Sequence, residues 1–324
     1  MRWLRAKLRA RRLVSGAAEA GMVGLVRAVF ALARGLGPER SSDLGAALTR
    51  RAGPLLPQHG IALRNVRAAF PDLPEDEVRR IVLGAWDNLG RTAAEYAHLG
   101  HLFDFDPDRP APGRTEVQGI EHFLALRDDD RPGLIFSAHL ANWELAGTCA
   151  ARYGLDVTAV YRPPNDAAVA KVVHEIRSGS MGGLQPARQG AAFAMRGVLE
   201  RGGHLAQLVD QHFTRGVVVD FLGRPALANP ILAKLAREYE CPVHGVRTVR
   251  LPGHRFRLEL TPPLALPRDA EGRIHVQGAM QAMSDVVGGW VREHPEQWLW
   301  MHRRWRVPVP VPAQGSTVGS PVKS

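Results

Sequence analysis

Two residues separated by four others, His139 and Glu144, form a pair of types that acid–base chemistry uses. A histidine acting as a base needs one ring nitrogen free for the substrate's proton. A carboxylate on the other nitrogen fixes the tautomer and stabilises the imidazolium that forms. The surrounding sequence suggests how the pair is presented. The apolar run Leu134 to Phe136, entered from Pro132-Gly133, reads as a buried strand. Leu145 to Ala151 reads as a helix, with Asn142 as its N-cap and Glu144 in its first turn, where the dipole favours an acid. His139 then sits at the mouth of a strand-to-helix turn, with Glu144 able to fold back onto it. From this pattern alone, a structural histidine beside a helix-capping acid is the favoured reading, because two residue types at one spacing are a weak signal.

The chain must supply a core and a partner for such a site. It has 324 residues, 45% hydrophobic and 23% charged, which is ordinary globular composition. Cys149 and Cys241 offer neither a disulfide framework nor a metal spacing, and the histidines lack paired ligands, so no metal or cofactor is expected. The formal charge of +10 calls for an acidic partner: an anionic membrane, an acidic protein, a phosphate-bearing substrate or nucleic acid. Nucleic acid is disfavoured, because no repeated aromatic–basic pattern or groove-reading motif is present. The N-terminus points to a membrane. Arg2, Arg5, Lys7, Arg9, Arg11 and Arg12 are interleaved with Trp3, Leu4, Leu8, Leu13 and Val14. Ala17 to Leu36 has the length of a spanning helix but carries Glu19, Arg27 and Arg34, so an amphipathic, shallowly inserted helix is expected. A signal peptide and a solvated basic helix are the alternatives.

Further on, residues 55–100 read as helical, with Val78, Ile81, Val82, Ala85 and Leu89 at core spacing. Strand candidates are Thr115–Val117, Leu155–Tyr161, Gly203–Leu208, Val217–Leu222, Pro242–Val249 and Arg255–Leu260. Helices are expected at Ile120–Leu126, Ala167–Arg177, Ala191–Glu200, Pro230–Tyr239 and Val276–His294, and a Gly-rich loop at Ser178–Gly183. Alternating strands and helices predict an α/β fold: a sandwich with a central mixed sheet flanked by helices. The expected organisation is a basic membrane-associating helix over 1–40, one domain over 41–305 with its α/β core at 115–305, and a disordered Pro- and Ser-rich tail over 306–324. In such sheets, residues just after strand ends gather in one crevice, so His139, Arg162, Asn165 and Asp210 are expected to converge.

Several stretches together resemble a known family. They are Asn65 to Asp72 (Asn-Val-Arg-Ala-Ala-Phe-Pro-Asp), Trp86 to Arg91 with Glu95, His139 to Glu144, and Tyr161-Arg162-Pro163. Asp210-Gln211, Gly216 with Asp220 to Gly223, Arg250, and Pro295 to Trp305 follow in order. From about Asn65 to Trp305 the chain resembles the lipid A biosynthesis acyltransferases, to which the phosphatidylinositol mannoside acyltransferases are related. The resemblance implies a fatty acyl thioester on acyl carrier protein as donor and a hydroxyl of a phosphorylated glycolipid as acceptor, at the cytoplasmic face of a bacterial inner membrane. It makes His139 the base and Glu144 its partner. Oxyanion donors would be backbone N–H groups near Asn142. Arg162, Asn165, Gln211 and Arg250 would contact substrate, with Arg162 suited to phosphate. Asp210 would stand behind the residues that touch substrate or orient the acceptor, with a strand-end turn residue as the alternative, and His302 and Arg304 would close the site or bind phosphate. Trp298, Trp300 and Trp305 read as core or interfacial anchors. The chain departs from the family pattern at Phe221-Leu222-Gly223, often Phe-Phe-Gly, and at Asn229-Pro230, where Thr is common. A different lipid acceptor, a basic membrane- or nucleic-acid-binding protein, and an inactive membrane scaffold are the competing readings.

Overall fold

The structure, a computed structural model, describes residues 20–108, 113–188 and 190–306. The basic cluster of residues 2–12 and nearly all of the expected tail lie outside them. Helices open the fold: α1 (20–36), α2 (Pro38–Ala52), α3 (Pro57–Ala69), α4 (Glu75–Glu95) and the short α5 (Leu99–Leu102). Strands and helices then alternate: β1 (Thr115–Gln118), α6 (Ile120–Asp128), β2 (Gly133–Ser137), α7 (Leu145–Arg152), β3 (Val157–Tyr161), α8 (Ala167–Ser180), β4 (Gly183–Pro186), α9 (Ala191–Glu200) and β5 (His204–Leu208). The hairpin β6 (Val217–Asp220) and β7 (Pro225–Ala228) precedes α10 (Ile231–Tyr239), β8 (Val243–Leu251), β9 (Arg255–Leu260) and α11 (Val276–Glu293).

The expected central mixed sheet is present. It has seven strands in the order β1-β9-β8-β2-β5-β3-β4. All neighbours are parallel except β8 and β9. β2 lies between β8 and β5 and is buried along its whole length, as its unbroken apolar sequence requires. Two readings change. The expected loop Ser178–Gly183 is the end of α8 and the start of the edge strand β4. Gly and Pro residues made that strand look like a loop, and its partner β3 imposes the extended form. Leu222 does not extend β6; it sits at φ 56 in the turn to β7.

The helical part is fastened to the sheet. Ile81 and Val82 of α4 share an apolar cluster with Leu134 and Phe136 of β2. α2 lies on α4 where glycines meet: a Cβ on Gly45 would come within 2.4 Å of the Gly90 carbonyl oxygen. That contact lets Thr49 Oγ1 donate to the Trp86 carbonyl at 2.7 Å.

α1 is apolar on two sides. Val23, Val26, Phe30 and Ala33 turn towards the protein and are partly or fully buried. Met22, Leu25, Val29 and Leu32 follow the same helical spacing on another face and are 44%, 59%, 57% and 63% exposed. Among the described residues no helix is long and apolar enough to cross a membrane.

Candidate active site

β2 and β5 pair in parallel with Ser137 opposite Leu208. Two residues beyond each partner stand His139 and Asp210, so the register itself sets them side by side at the carboxyl ends of the strands. His139 Nδ1 lies 2.8 Å from Asp210 Oδ1, and the His139 backbone N–H donates to Asp210 Oδ2 at 2.8 Å. The Trp298 indole N–H donates to the same Oδ2 at 2.8 Å. Asp210 is buried, which alone would raise its pKa. The facing His139 and His302 and the donated hydrogen bonds outweigh burial and hold it well below the usual carboxylate range. An ionised Asp210 accepts the hydrogen bond of Nδ1–H, which leaves the Nε2 lone pair outward. Gln211 Nε2 lies 3.2 Å from that nitrogen, and its amide N–H is the donor in this tautomer.

The carboxylate behind the imidazole is therefore Asp210, where the sequence pattern led us to expect Glu144. The turn between them explains the exchange. Ala141 sits at φ 45, a left-handed conformation that costs a non-glycine residue about 1–3 kcal/mol. It is pinned there: its N–H donates to the Gln297 carbonyl at 3.0 Å, and its carbonyl accepts from Thr92 Oγ1 at 2.9 Å and Asn88 Nδ2 at 3.3 Å. Leu299 N–H donates to the His139 carbonyl at 3.1 Å, so the C-terminal segment lies along the other side of the loop. The turn sends His139 towards β5 and Glu144 towards α8. There Glu144 accepts from Arg177 Nε at 2.9 Å, from Trp143 Nε1 at 2.7 Å and from the Tyr96 hydroxyl. Burial would lower the Arg177 pKa, but Glu144 and Tyr96 raise it, so the guanidinium stays charged. The Trp143 ring meets the His139 ring edge-on at 5.0 Å, and Trp143 and Glu144 complete a wall beside the imidazole.

His139 opens into a cavity of about 740 Å³. Its deep part is apolar and runs beneath α7 across one face of the sheet, past Ile135, Cys149, Val157, Val246, Leu258 and Leu260. Alternate strand residues supply these walls, as the pleat requires. Burial pushes the Cys149 thiol up to about 12, so it serves as apolar wall. The mouth is polar, with Arg162, Asn165, Gln211, His212 and Arg215 around it. Arg162 Nη2 and Asn165 Oδ1 are 3.3 Å apart. The convergence expected of His139, Arg162, Asn165 and Asp210 is thus met, with Asp210 behind the base and not in the cavity.

Four other expected contacts lie elsewhere. Asn142 is fully buried; its Nδ2 donates to Glu95 Oε2 at 2.9 Å and its Oδ1 accepts from Glu144 N–H at 3.2 Å. The helix begins at Leu145, after this turn, so Asn142 holds the turn and not a substrate. Of the N–H groups near Asn142, those of Ala141, Glu144 and Leu145 are engaged by the Gln297 carbonyl and by Asn142 itself. Arg250 spends its guanidinium on Glu95, Asn88 and Thr92, tying β8 to α4. His302 lies behind Asp210; Nδ1 donates to the Leu299 carbonyl at 2.6 Å, and burial lowers its pKa to about 4, so it is neutral. Arg304 is buried over the Phe221 ring and donates to the Leu227 carbonyl at 2.6 Å; burial lowers its pKa to about 10. Two residues of the site were not anticipated. Arg177 stands in a helix with no local signal of its role, and Trp298, expected as an anchor, donates to Asp210 behind the imidazole. Among the described residues no cluster of side chains suits a metal ion.

Comparison with known proteins identifies the family. Residues 16–307 match the family model described as bacterial lipid A biosynthesis acyltransferase. The chain is 25% identical to a lipid A biosynthesis lauroyltransferase of Escherichia coli (strain K12) over 273 residues, covering 78% of this chain and 81% of that protein. It is 24% identical to a lipid A biosynthesis palmitoleoyltransferase of the same organism over 276 residues, covering 81% and 84%. A lipid A biosynthesis acyltransferase of Shigella flexneri is similar to the same extent.

Proposed function

We propose, since the chain belongs to the bacterial lipid A biosynthesis acyltransferase family, that it moves a fatty acyl chain from an acyl carrier protein thioester to a hydroxyl of a lipid A precursor. The observation that carries the mechanism is an Asp210-backed imidazole at the mouth of a long apolar cavity. The acyl chain lies beneath α7, and its thioester carbonyl stops beside His139. The acceptor hydroxyl displaces the Gln211 amide from Nε2 and gives that nitrogen its proton as its oxygen attacks the carbonyl carbon. Asp210 stabilises the imidazolium that forms. The Gln211 amide, freed from Nε2, and Arg162, both lining the mouth, would donate to the oxyanion. When the tetrahedral species collapses, the carbon–sulfur bond breaks and His139 returns the proton to the departing thiolate. An ester and a free thiol result, with no net change in protons.

Glu144 acts in this scheme through Arg177, Tyr96 and Trp143, by holding the wall against which the thioester rests. Arg162 and Arg215 give the mouth the positive charge that a phosphorylated acceptor or an acidic carrier protein seeks. The exposed stripe of α1 lies in the head-group region of the inner membrane's cytoplasmic leaflet, where both substrates can be reached.

The test is an assay with acyl carrier proteins bearing several chain lengths and a tetra-acylated lipid A precursor, read by mass spectrometry. The wild-type protein should add one acyl chain, and His139→Ala, still folded, should add none. Transfer at wild-type rate by His139→Ala would remove the assigned base. Transfer to another glycolipid but not to the lipid A precursor would move the acceptor assignment.

A further inference from the structure

A second cavity of about 550 Å³ lies between α1 and α8, lined in addition by residues around α5. Phe30, Ala31, Leu99, Val172 and Ile176 give it apolar walls, and the exposed Arg34 and His101 border it. Arg27 spans it with two hydrogen bonds to Glu175, at 3.0 and 3.1 Å, tying α1 to α8. Gly100 and Gly179 both line it, and a Cβ built on either meets nothing within 4 Å. Glycine in a helix costs about 0.8–1 kcal/mol relative to alanine, so a larger residue at either position would favour the helix and clash with nothing nearby.

Two features point to the occupant. One wall belongs to α1, whose other apolar face is exposed, so the cleft opens from the helix best suited to touch a bilayer. The polar residues at its border that are not in the Arg27–Glu175 pair include Arg34 and His101, which complement an anion. A volume of this size falls within the range of about 300–1,000 Å³ typical of ligand pockets. The cleft also shares a wall with the catalytic cavity: Tyr96 lines the cleft, and its hydroxyl donates to Glu144, which lines the cavity. We infer that this cleft binds one acyl chain of an anionic membrane lipid, with the lipid phosphate against Arg34 and His101, and that Tyr96 is the contact through which the bound chain braces the Glu144 wall.

The test reads binding, separately from acyl transfer. Phe30→Trp places a reporter in the cleft and Leu25→Trp places one on the exposed stripe; emission is measured against the wild-type background. The probe is vesicles of phosphatidylglycerol with brominated chains. The Phe30→Trp reporter should lose about half or more of its emission, and Gly179→Leu, which plugs the cleft, should restore it. The Leu25→Trp reporter should be quenched in both backgrounds. Gly100→Leu is a second plug should Gly179→Leu unfold. Quenching at Phe30→Trp that survives both plugs would reflect bilayer adsorption and overturn the site. So would its absence when Leu25→Trp is quenched. Equal quenching by brominated phosphatidylcholine would overturn the anionic head group. Absence of any acyl transfer by the wild-type protein, with quenching intact, would count against the proposed reaction and leave the cleft standing.

Discussion

Replacing Asp210 with asparagine separates the two carboxylates that compete for the role of partner to His139. In the structure Asp210 receives the His139 backbone N–H, His139 Nδ1–H and the Trp298 indole N–H, and it is fully buried. Asparagine keeps the shape but offers one oxygen where two were engaged, and its NH2 must face a donor. The easiest relief is for the imidazole to place its proton on Nε2, which removes the base. Loss of the correct tautomer and of imidazolium stabilisation is worth about 10³–10⁴ in rate, or about 4–5.5 kcal/mol of transition-state stabilisation. Glu144→Gln perturbs a different balance. It leaves the largely buried Arg177 without its carboxylate, and breaking a buried pair costs about 3–5 kcal/mol of stability. Its effect should therefore fall on the unfolding midpoint and on KM more than on the rate of the folded enzyme. The assay is single-turnover release of thiol from acyl carrier protein with saturating acceptor, alongside thermal unfolding of each variant. Asp210→Asn within about tenfold of wild type, with Glu144→Gln inactive yet stable, would refute the reasoning and return Glu144 to the base.

The other expectations rest on the same neighbourhood. Trp298→Phe keeps the ring and removes one donor to Asp210, which should cost about 1–3 kcal/mol of carboxylate stabilisation and displace the pH–rate profile, a readout that a packing defect alone would not move. Cys149→Phe fills the deep cavity and should shift donor preference to shorter acyl chains in a competition assay, with little change in rate for the shortest accepted. The third concerns pH. Burial holds His302 neutral, with its pKa lowered from 6.5 to about 4, so below the ordinary histidine value the unfolded chain binds a proton that the folded protein refuses. Stability should fall as pH drops from about 6.5 towards 4, by about 3 kcal/mol. Asp210, whose pKa is also depressed, contributes stability that is present at higher pH and is lost only on further acidification. Urea unfolding across that range should show the slope, and His302→Asn should flatten it.

Much was written locally. The apolar run of β2, the helical spacing of α4 and the alternation in β9 each fix an element from neighbouring residues, because burial of a periodic face decides the backbone form. His139 at a strand mouth followed from the same logic, and so did the strand-end position of Asp210. The short strands β4 and β7 did not, since their Gly and Pro residues resist extension until a paired strand supplies the hydrogen bonds. The motif residues Asn88, Glu95, Asn142 and Arg250 were visible as a set, but nothing in their spacing says that they hold the Ala141 turn instead of a substrate. α1 could be read as amphipathic; which of its apolar faces is covered depends on what packs against it.

The choice between two carboxylates was likewise tertiary. Five positions along the chain separate His139 from Glu144, against 71 from Asp210, and proximity in sequence favoured the wrong partner. The register of β2 on β5, with one left-handed alanine pinned by α4 and the C-terminal segment, turned the imidazole to the distant acid. The chain's local order supplied the chemical groups; hydrogen bonds between strands far apart in sequence decided which of them meet, because only folding sets their distance and direction.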